Sequence, residues 1–392
     1  MFNFDEIIDR RQSVGKKWNP NTLDEMFGNP DALPMWIADM DFRVAPAITE
    51  AIKEVAEHGI YGYSNAGSAV ESYIGWVKRR HNWDIKPEWV LNTPGVVTAL
   101  DVAIAAYTKP GDGILINKPV YYPFSLIIES HERKIVDSTL VIEEGGAISV
   151  DFADFEAKAK DENTKMFILC SPHNPLGHIY SRDELKRMLD ICFKYDVLVV
   201  VDEIHGDLIM PGQEFTSIGE LGEKYANRVI VTQAPSKTFN LAGMQWSAVV
   251  IPDADLRAKF QAHIELYDLA IQNPLAIAAV SAAYDEGAEW LDAAIGYIYA
   301  NFEYLRNALA EALPDARVLD LKATYLAFVD FSYLGLDDES LDKLFAEEIG
   351  LALDSGHWFG ETGSGYMRFN LATPRANVEK AVELMVNTLQ EK

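Results

Sequence analysis

VTQAPSKTFNLAGMQW, residues 231–246, is the stretch on which the reading of this chain turns. Val229, Ile230 and Val231 lead in as an apolar strand, and a polar turn with Ser236, Lys237, Thr238 and Asn240 follows. The small pair Ala242–Gly243 then lets the backbone pass close to a neighbour. A lysine at the end of a buried strand, among Phe239, Leu241 and Trp246, loses water around its amine. Desolvation disfavours the charged form and lowers the pKa. A neutral lysine amine is a nucleophile toward carbonyls. Taken alone, Lys237 also reads as an ordinary loop lysine at the surface; the residues upstream decide between the two.

From residue 88 strands and helices alternate. WVLNT is strand-like, TALDVAIAAYT is amphipathic, ILIN is a strand after the PGDG turn, and SLIIESHE is helical. KIVDSTL, KMFILC, VLVVVDE and RVIVTQ read as further strands, with SRDELKRMLDICFKY as a helix between them. Alternating apolar strands and amphipathic helices predict an α/β domain with a mostly parallel sheet. Ligands of such sheets collect beyond the carboxyl ends of the strands. Gly95, Tyr121, Asn174, Asp202 and Lys237 all follow strands.

Residues 1–45 read as an N-terminal arm contributing to a smaller domain, with a turn cluster at Asn19, Pro20 and Asn21 and the extended segment LPMWIADMDF. Helical spacing covers 46–58 and 68–80, and the glycine- and aromatic-rich GIYGYSNAG between them reads as a loop. Residues 253–312 are helix-rich up to Pro314. Strands (ARVLD, TYLAFVDF), a helix (DESLDKLFAEEI), the glycine-rich SGHWFGETGSGYMRFNLA and a last helix (NVEKAVELMVNTL) complete an α+β domain. The expected division is 46–285 for the large domain and 286–392 for the small one.

The 392 residues carry a net charge of −26, which argues against nucleic acid or an anionic membrane as partner. An anionic ligand must therefore be held by local features. Cys170 and Cys192 are the only cysteines and sit in apolar runs, a pattern that fits a reducing, cytoplasmic setting. No apolar run is long enough to span a bilayer. His173, His178 and His205 lack metal-ligand spacing, so no metal is expected.

Among the strand-end residues, Asp202 closes the apolar run VLVVVD, where an ionised carboxylate needs a cation or a helix-cap role. Asn174 in SPHNPLG can donate from its amide or form an Asx turn. Gly95-Val96-Val97 opens a helix after a strand, a place where free N–H groups receive anions. Tyr121 offers a flat ring for stacking. Arg368, alone on an apolar strand, needs a carboxylate, either a ligand's or an internal partner's.

In this order, a glycine turn, PVYYPF, CSPHNPLG, VVDEIHGDL, SKTFNLAG and GYMRFNLATPR, the chain resembles the pyridoxal-phosphate enzymes of aspartate-aminotransferase fold (fold type I, class I/II). Within them it is most similar to the MalY/PatB-like C–S lyases of cystathionine β-lyase type, through LPMWIADMDF, YGYS, the WLD of 290–292 and TYL as well. The resemblance implies that Lys237 holds pyridoxal 5'-phosphate covalently and then moves the α-proton. It implies that Asp202 pairs with the pyridine nitrogen, Asn174 donates to the phenolate oxygen and Tyr121 stacks on the ring. Val96, Val97, Ser236 and His205 fall to cofactor binding, and Tyr63 to the phosphate of a neighbouring subunit, hence a homodimer. Arg368, with Asn174 and Ile37, falls to the amino-acid substrate, and Trp36, Tyr122 and Trp358 are candidates for the outer wall. The implied reaction is β-elimination from L-cystathionine or another cysteine S-conjugate.

Two positions depart from the transaminases of this fold. His205 stands where they carry tyrosine, and Gln245 where they carry an arginine for the phosphate. An aminotransferase would use the same residues, and a regulator could keep the scaffold for a partner interface.

Overall fold

The computed structural model describes residues 2–390. Its centre is a seven-stranded sheet of β1 (Val90–Thr93), β2 (Gly113–Ile116), β3 (Lys134–Asp137), β4 (Thr164–Cys170), β5 (Leu198–Asp202), β6 (Val229–Gln233) and β7 (Ser247–Val250), in the order β1-β7-β6-β5-β4-β2-β3. Only β7 runs against its neighbours; the other pairs are parallel. The unbroken runs of valine, isoleucine and leucine follow from burial of both faces under helices. In β4, Met166, Ile168 and Cys170 join the core under the helices Val96–Tyr107 and Ala254–Leu266. Phe167 and Leu169 join the larger core on the other face, with Trp76, Tyr284 and Trp290. This is the two-residue alternation of a strand expressed in a sheet apolar on both sides.

A second sheet of four antiparallel strands is built from β8 (Arg317–Val318), β9 (Leu326–Asp330), β10 (Asp354–Ser355) and β11 (Tyr366–Asn370), in the order β8-β9-β11-β10. The 25-residue helix Ala288–Ala312 leads into it, and the helix Arg375–Leu389 follows it. Leu33–Pro34 of the N-terminal segment pairs in parallel with Leu351–Ala352.

Asn19, Pro20 and Asn21 are not a free turn but the start of the helix Pro20–Phe27. Asn19 Oδ1 accepts from the Asn21 and Thr22 N–H groups, and proline occupies the first helical position. Asn-Pro opens turns and helices by the same chemistry, and the apolar Leu23 beneath decides for the helix. The predicted helix DESLDKLFAEEI is α-helical over Asp338–Lys343 and widens to a π-turn over Leu344–Ile349.

The segment LPMWIADMDF is tied down from several sides. Asn240, two residues past the lysine turn, accepts from Met40 N–H and donates to the Met40 and Phe42 carbonyls. Asn370 donates to the Ile37 and Asp39 carbonyls. Asp41, buried, accepts from Lys17 at 2.9 Å, Arg10 at 2.5 Å and Trp18 at 2.7 Å. Burial pushes its carboxyl up, but the two cations outweigh that and hold it below the usual range. The segment thereby becomes a fixed strip lying across the carboxyl ends of the sheet.

Candidate active site

A cavity of about 330 Å³ opens where the carboxyl ends of β1, β4, β5 and β6 meet this strip and the second sheet. Its wall brings together residues that lie far apart in sequence: Ile37, Val96, Val97, Tyr121, Asn174, Asp202, His205, Ser236, Lys237 and Arg368.

Lys237 sits in the short turn Pro235–Thr238 directly after β6. It is partly open to the cavity, while its amine donates to the Ala38 carbonyl at 2.7 Å. Tyr325 donates to the same oxygen at 2.8 Å. Burial and then the Arg368 charge push the amine down to about 8, against the opposing pull of Asp39, Asp202 and Asp354. At pH 7 about a tenth of the amine is then neutral, against roughly one part in three thousand for an ordinary lysine.

Asp202 ends β5 with its carboxylate buried, and Oδ1 accepts the Ile204 N–H at 3.0 Å. Burial raises it to about 7, although the Ile204 N–H and Lys237 pull it down. A carboxylate so placed is short of positive charge and is suited to a cationic N–H on its open side.

Gly95 precedes the helix Val96–Tyr107 with φ of 135° and ψ of 159°, a conformation nearly confined to glycine. Its chain neighbours aside, a Cβ there would meet no atom of the described residues within 4 Å. The first N–H groups of the twelve-residue helix therefore face an open cradle, beside Ser236. That cradle suits an anion.

Arg368, 3% exposed, projects from β11. Its Nη1 donates to Asn174 Oδ1 at 2.9 Å, which leaves the Asn174 NH2 group to donate elsewhere. Its Nη2 donates to the Trp36 carbonyl at 3.2 Å and pairs closely with Asp354. The ring of Phe359 lies under the guanidinium, 4.8 Å away. Asp354 is thus the carboxylate that a buried arginine requires, and it lines the cavity. Tyr121 is raised by burial and stays a neutral phenol. His205 is buried, with Nδ1 lacking a hydrogen-bond partner among the described residues, and burial pushes it well below the ordinary histidine range, so it is neutral at pH 7. Gln245 reaches the same wall with left-handed backbone.

Trp36 and Tyr122 also line the cavity, but Trp358 does not. It stands behind Tyr122, ring centroids 6.3 Å apart, and borders a separate cavity with Phe27 and Met367. The Tyr122 ring stands between it and the site, which its position in the glycine-rich stretch does not reveal. Tyr63 is 97% exposed and lies outside the cavity wall of its own chain. Among the described residues no group of three His, Cys, Asp or Glu is placed to hold a metal ion.

Residues 33–385 match the family "aminotransferase class I and II". The chain is 41% identical over 378 residues to cystathionine beta-lyase PatB of Bacillus subtilis, covering 96% of this chain and 97% of that protein. It is similar to the structure of a PLP-bound putative aminotransferase from Clostridium difficile, with a TM-score of 0.96, 39% identity, and coverage of 99% and 100% of the two chains. It is also similar to the structure of a PLP-bound C–S lyase from Staphylococcus hominis, with a TM-score of 0.93, 32% identity, and coverage of 99% and 98%. With an amine, a carboxylate and an anion cradle gathered at the ends of a mostly parallel sheet, and a match that runs nearly end to end, the chain belongs to the aminotransferase class I and II family.

Proposed function

We propose that this protein is a pyridoxal-phosphate-dependent C–S lyase that releases a thiol, pyruvate and ammonia from L-cystathionine or another cysteine S-conjugate. The observation that carries the proposal is the meeting of Lys237, Asp202 and Arg368 on one cavity wall, in a chain 41% identical to a cystathionine beta-lyase.

The residues present fit the cofactor. The cradle at Gly95, with the Val96 and Val97 amides and Ser236, would hold a phosphate; burial of Asp202 outweighs the pull of Lys237 and leaves room for a closer cation, and Lys237 has a lowered pKa. When bound, pyridoxal phosphate supplies an aldehyde that condenses with amines and a ring that accepts the electrons left at the substrate α-carbon. Asp202 would keep the ring nitrogen protonated, Asn174 would donate from its free NH2 group, and neutral Tyr121 would lie against the ring face. Neutral His205 adds no charge near the cofactor, so with Gln245 the phosphate charge is met by helix amides and hydroxyls.

Lys237 would attach the cofactor, give way to the substrate amine and take the α-proton. Its lowered pKa suits both roles, because an appreciable fraction of the amine is then neutral at working pH and the amine still accepts a proton. Arg368 would hold the α-carboxylate and so fix which bond at the α-carbon faces Lys237. Ile37, Trp36 and Tyr122 would form the wall that meets the sulfur side. Loss of the α-proton leads to cleavage of the Cβ–S bond, and the thiolate leaves with a proton. The three-carbon remainder takes up water and departs as pyruvate and ammonia.

A homodimer completes the site in this reading. Tyr63, fully exposed in a stretch with Ile60 and Tyr61, would cross to the phosphate of the partner subunit. Among the described residues no helix is long and apolar enough to cross a membrane, and both cysteines are free and buried. Both facts suit a cytoplasmic enzyme, with a place in methionine biosynthesis through its thiol product.

Incubation with L-cystathionine tests the proposal by parallel assay of thiol and pyruvate, which should appear in equal amounts. Pyridoxamine phosphate formed stoichiometrically from an amino acid, with no thiol from several cysteine conjugates, would favour transamination instead.

A further inference from the structure

The α-carboxylate subsite already contains a carboxylate. Asp354 and Arg368 face each other directly across the antiparallel pair β10–β11, so the register itself sets their ion pair. A guanidinium has five N–H groups, and a carboxylate that binds in bidentate fashion needs one from each of two nitrogens. In Arg368 the Nε–H is buried without a hydrogen-bond partner among the described residues and is closed to the cavity. That leaves the Nη1/Nη2 edge. Nη1 spends one hydrogen on Asn174 and keeps one. Both hydrogens of Nη2 are taken, by the Trp36 carbonyl and by Asp354.

The Trp36 carbonyl belongs to the strip pinned by Asn240 and Asn370, so it does not move away readily. Asp354 is the partner that can yield. We infer, resting on Arg368 as the α-carboxylate clamp, that Asp354 occupies that clamp when no substrate is bound and takes up one proton when a substrate carboxylate docks.

The surroundings of Asp354 explain the proton. The charged and titratable groups that bear on it are Arg368 from β11, Lys237 from the turn after β6, and Tyr121 and Tyr122 from the loop after β2. Burial pushes its carboxyl up to about 6 even with Arg368 and Lys237 holding it down. An incoming carboxylate shares Arg368 and adds a like charge, and both effects favour protonation. The balance is simple: the O–H bond forms on Asp354 with a proton from solvent, and no bond in the substrate breaks. The neutral acid can then donate to the carboxylate that displaced it. A carboxylate ligand of this site should therefore bind less tightly as pH rises, through a residue that need not touch the reacting atoms.

The test uses holoenzyme and propionate, a carboxylate without an amine, in titration calorimetry. Runs in two buffers of different ionisation enthalpy at each pH from 6.5 to 8.5 give affinity and protons taken up together. Wild type should take up about 0.5–1 proton at pH 7, and its affinity should fall up to about tenfold per pH unit above that. Asp354→Asn should take up none, show a flat profile and bind more tightly than wild type at pH 8. Zero uptake by wild type, or the same pH slope in both proteins, overturns the inference, and the wild-type measurement stands even if the variant folds poorly. Arg368→Lys separates the two claims. If it weakens binding at least tenfold while Asp354→Asn matches wild type, the clamp stands and the role of Asp354 falls. If it binds propionate as wild type does, the clamp itself falls and this inference with it.

Discussion

Asp207 offers a sharp test of how the lysine turn is held. It lies five residues past Asp202, and its carboxylate accepts from three side chains on two other elements. Oδ1 takes Trp76 Nε1 at 3.0 Å and His81 Nε2 at 2.8 Å, both from the helix Gly67–His81. Oδ2 takes Thr238 Oγ1 at 3.0 Å, on the residue next to Lys237. The His81 and Asp207 side chains are 7% and 12% exposed, so solvent screens the pair little. Asp207→Ala removes three bonds, leaves the buried Trp76 indole N–H without its acceptor and takes away the charge that raises His81. Breaking a buried pair from one side costs about 3–5 kcal/mol. For a chain of 392 residues that is a fall of about 4–6 °C in thermal midpoint.

The pH dependence has a fixed sign. Burial lowers His81, but the bond and charge of Asp207 outweigh it and raise the folded-state value. That stabilisation is full below the unfolded value of about 6.5 and fades as pH rises through the folded one. Asp207 is pushed up by burial and down further by His81 and its other donors. Its contribution is present above about 3.8 and is lost as pH falls through the folded value. The gap between wild type and Asp207→Ala in thermal melts should therefore be widest between about pH 4 and 6.5 and narrow above that window. A variant that melts within a degree of wild type at pH 6, or a gap that widens steadily toward pH 9, would refute this account of the turn.

Other consequences are open to direct measurement. Gly95→Ala forces a side chain onto φ of 135° at the mouth of the anion cradle, a strain of about 1–3 kcal/mol; cofactor affinity measured by reconstitution of the apoprotein should fall, since the Cβ meets open cavity instead of protein. The rate at which apoprotein combines with pyridoxal phosphate should rise about tenfold per pH unit up to about pH 8 and then level, because the neutral Lys237 amine is the reacting form. Tyr63→Ala should weaken cofactor retention while leaving the fold intact by circular dichroism, and in mixtures with Lys237→Ala subunits it should restore part of the activity if the site is shared.

Much of this arrangement was legible in the chain itself, and the illegible parts share a cause. The strand runs around Met166–Cys170 and Val199–Asp202 read directly, since burial on both faces leaves continuous apolar stretches. Lys237, Asp202 and Asn174 stood out as polar residues at strand ends, where a parallel sheet gathers its chemistry. Asp354 did not, although a buried arginine demanded a carboxylate. Its identity depends on the register of β10 against β11, two strands separated by a glycine-rich segment without periodicity. Asp207 escapes for a similar reason: two of its three partners come from a helix more than a hundred residues upstream. Trp358 reads as a candidate for the wall, yet the short turn Gly356–Phe359 sets it against another cavity. Local patterning thus located the residues that strands deliver, and missed those whose role is fixed by pairing across distant segments.

The most direct test is to reduce the protein with borohydride in the presence of pyridoxal phosphate and map the modified peptide by mass spectrometry. The account predicts a visible absorption band that reduction abolishes, with the cofactor's mass on the peptide that contains Lys237. A protein that stays colourless, or a label on any other lysine, would contradict it.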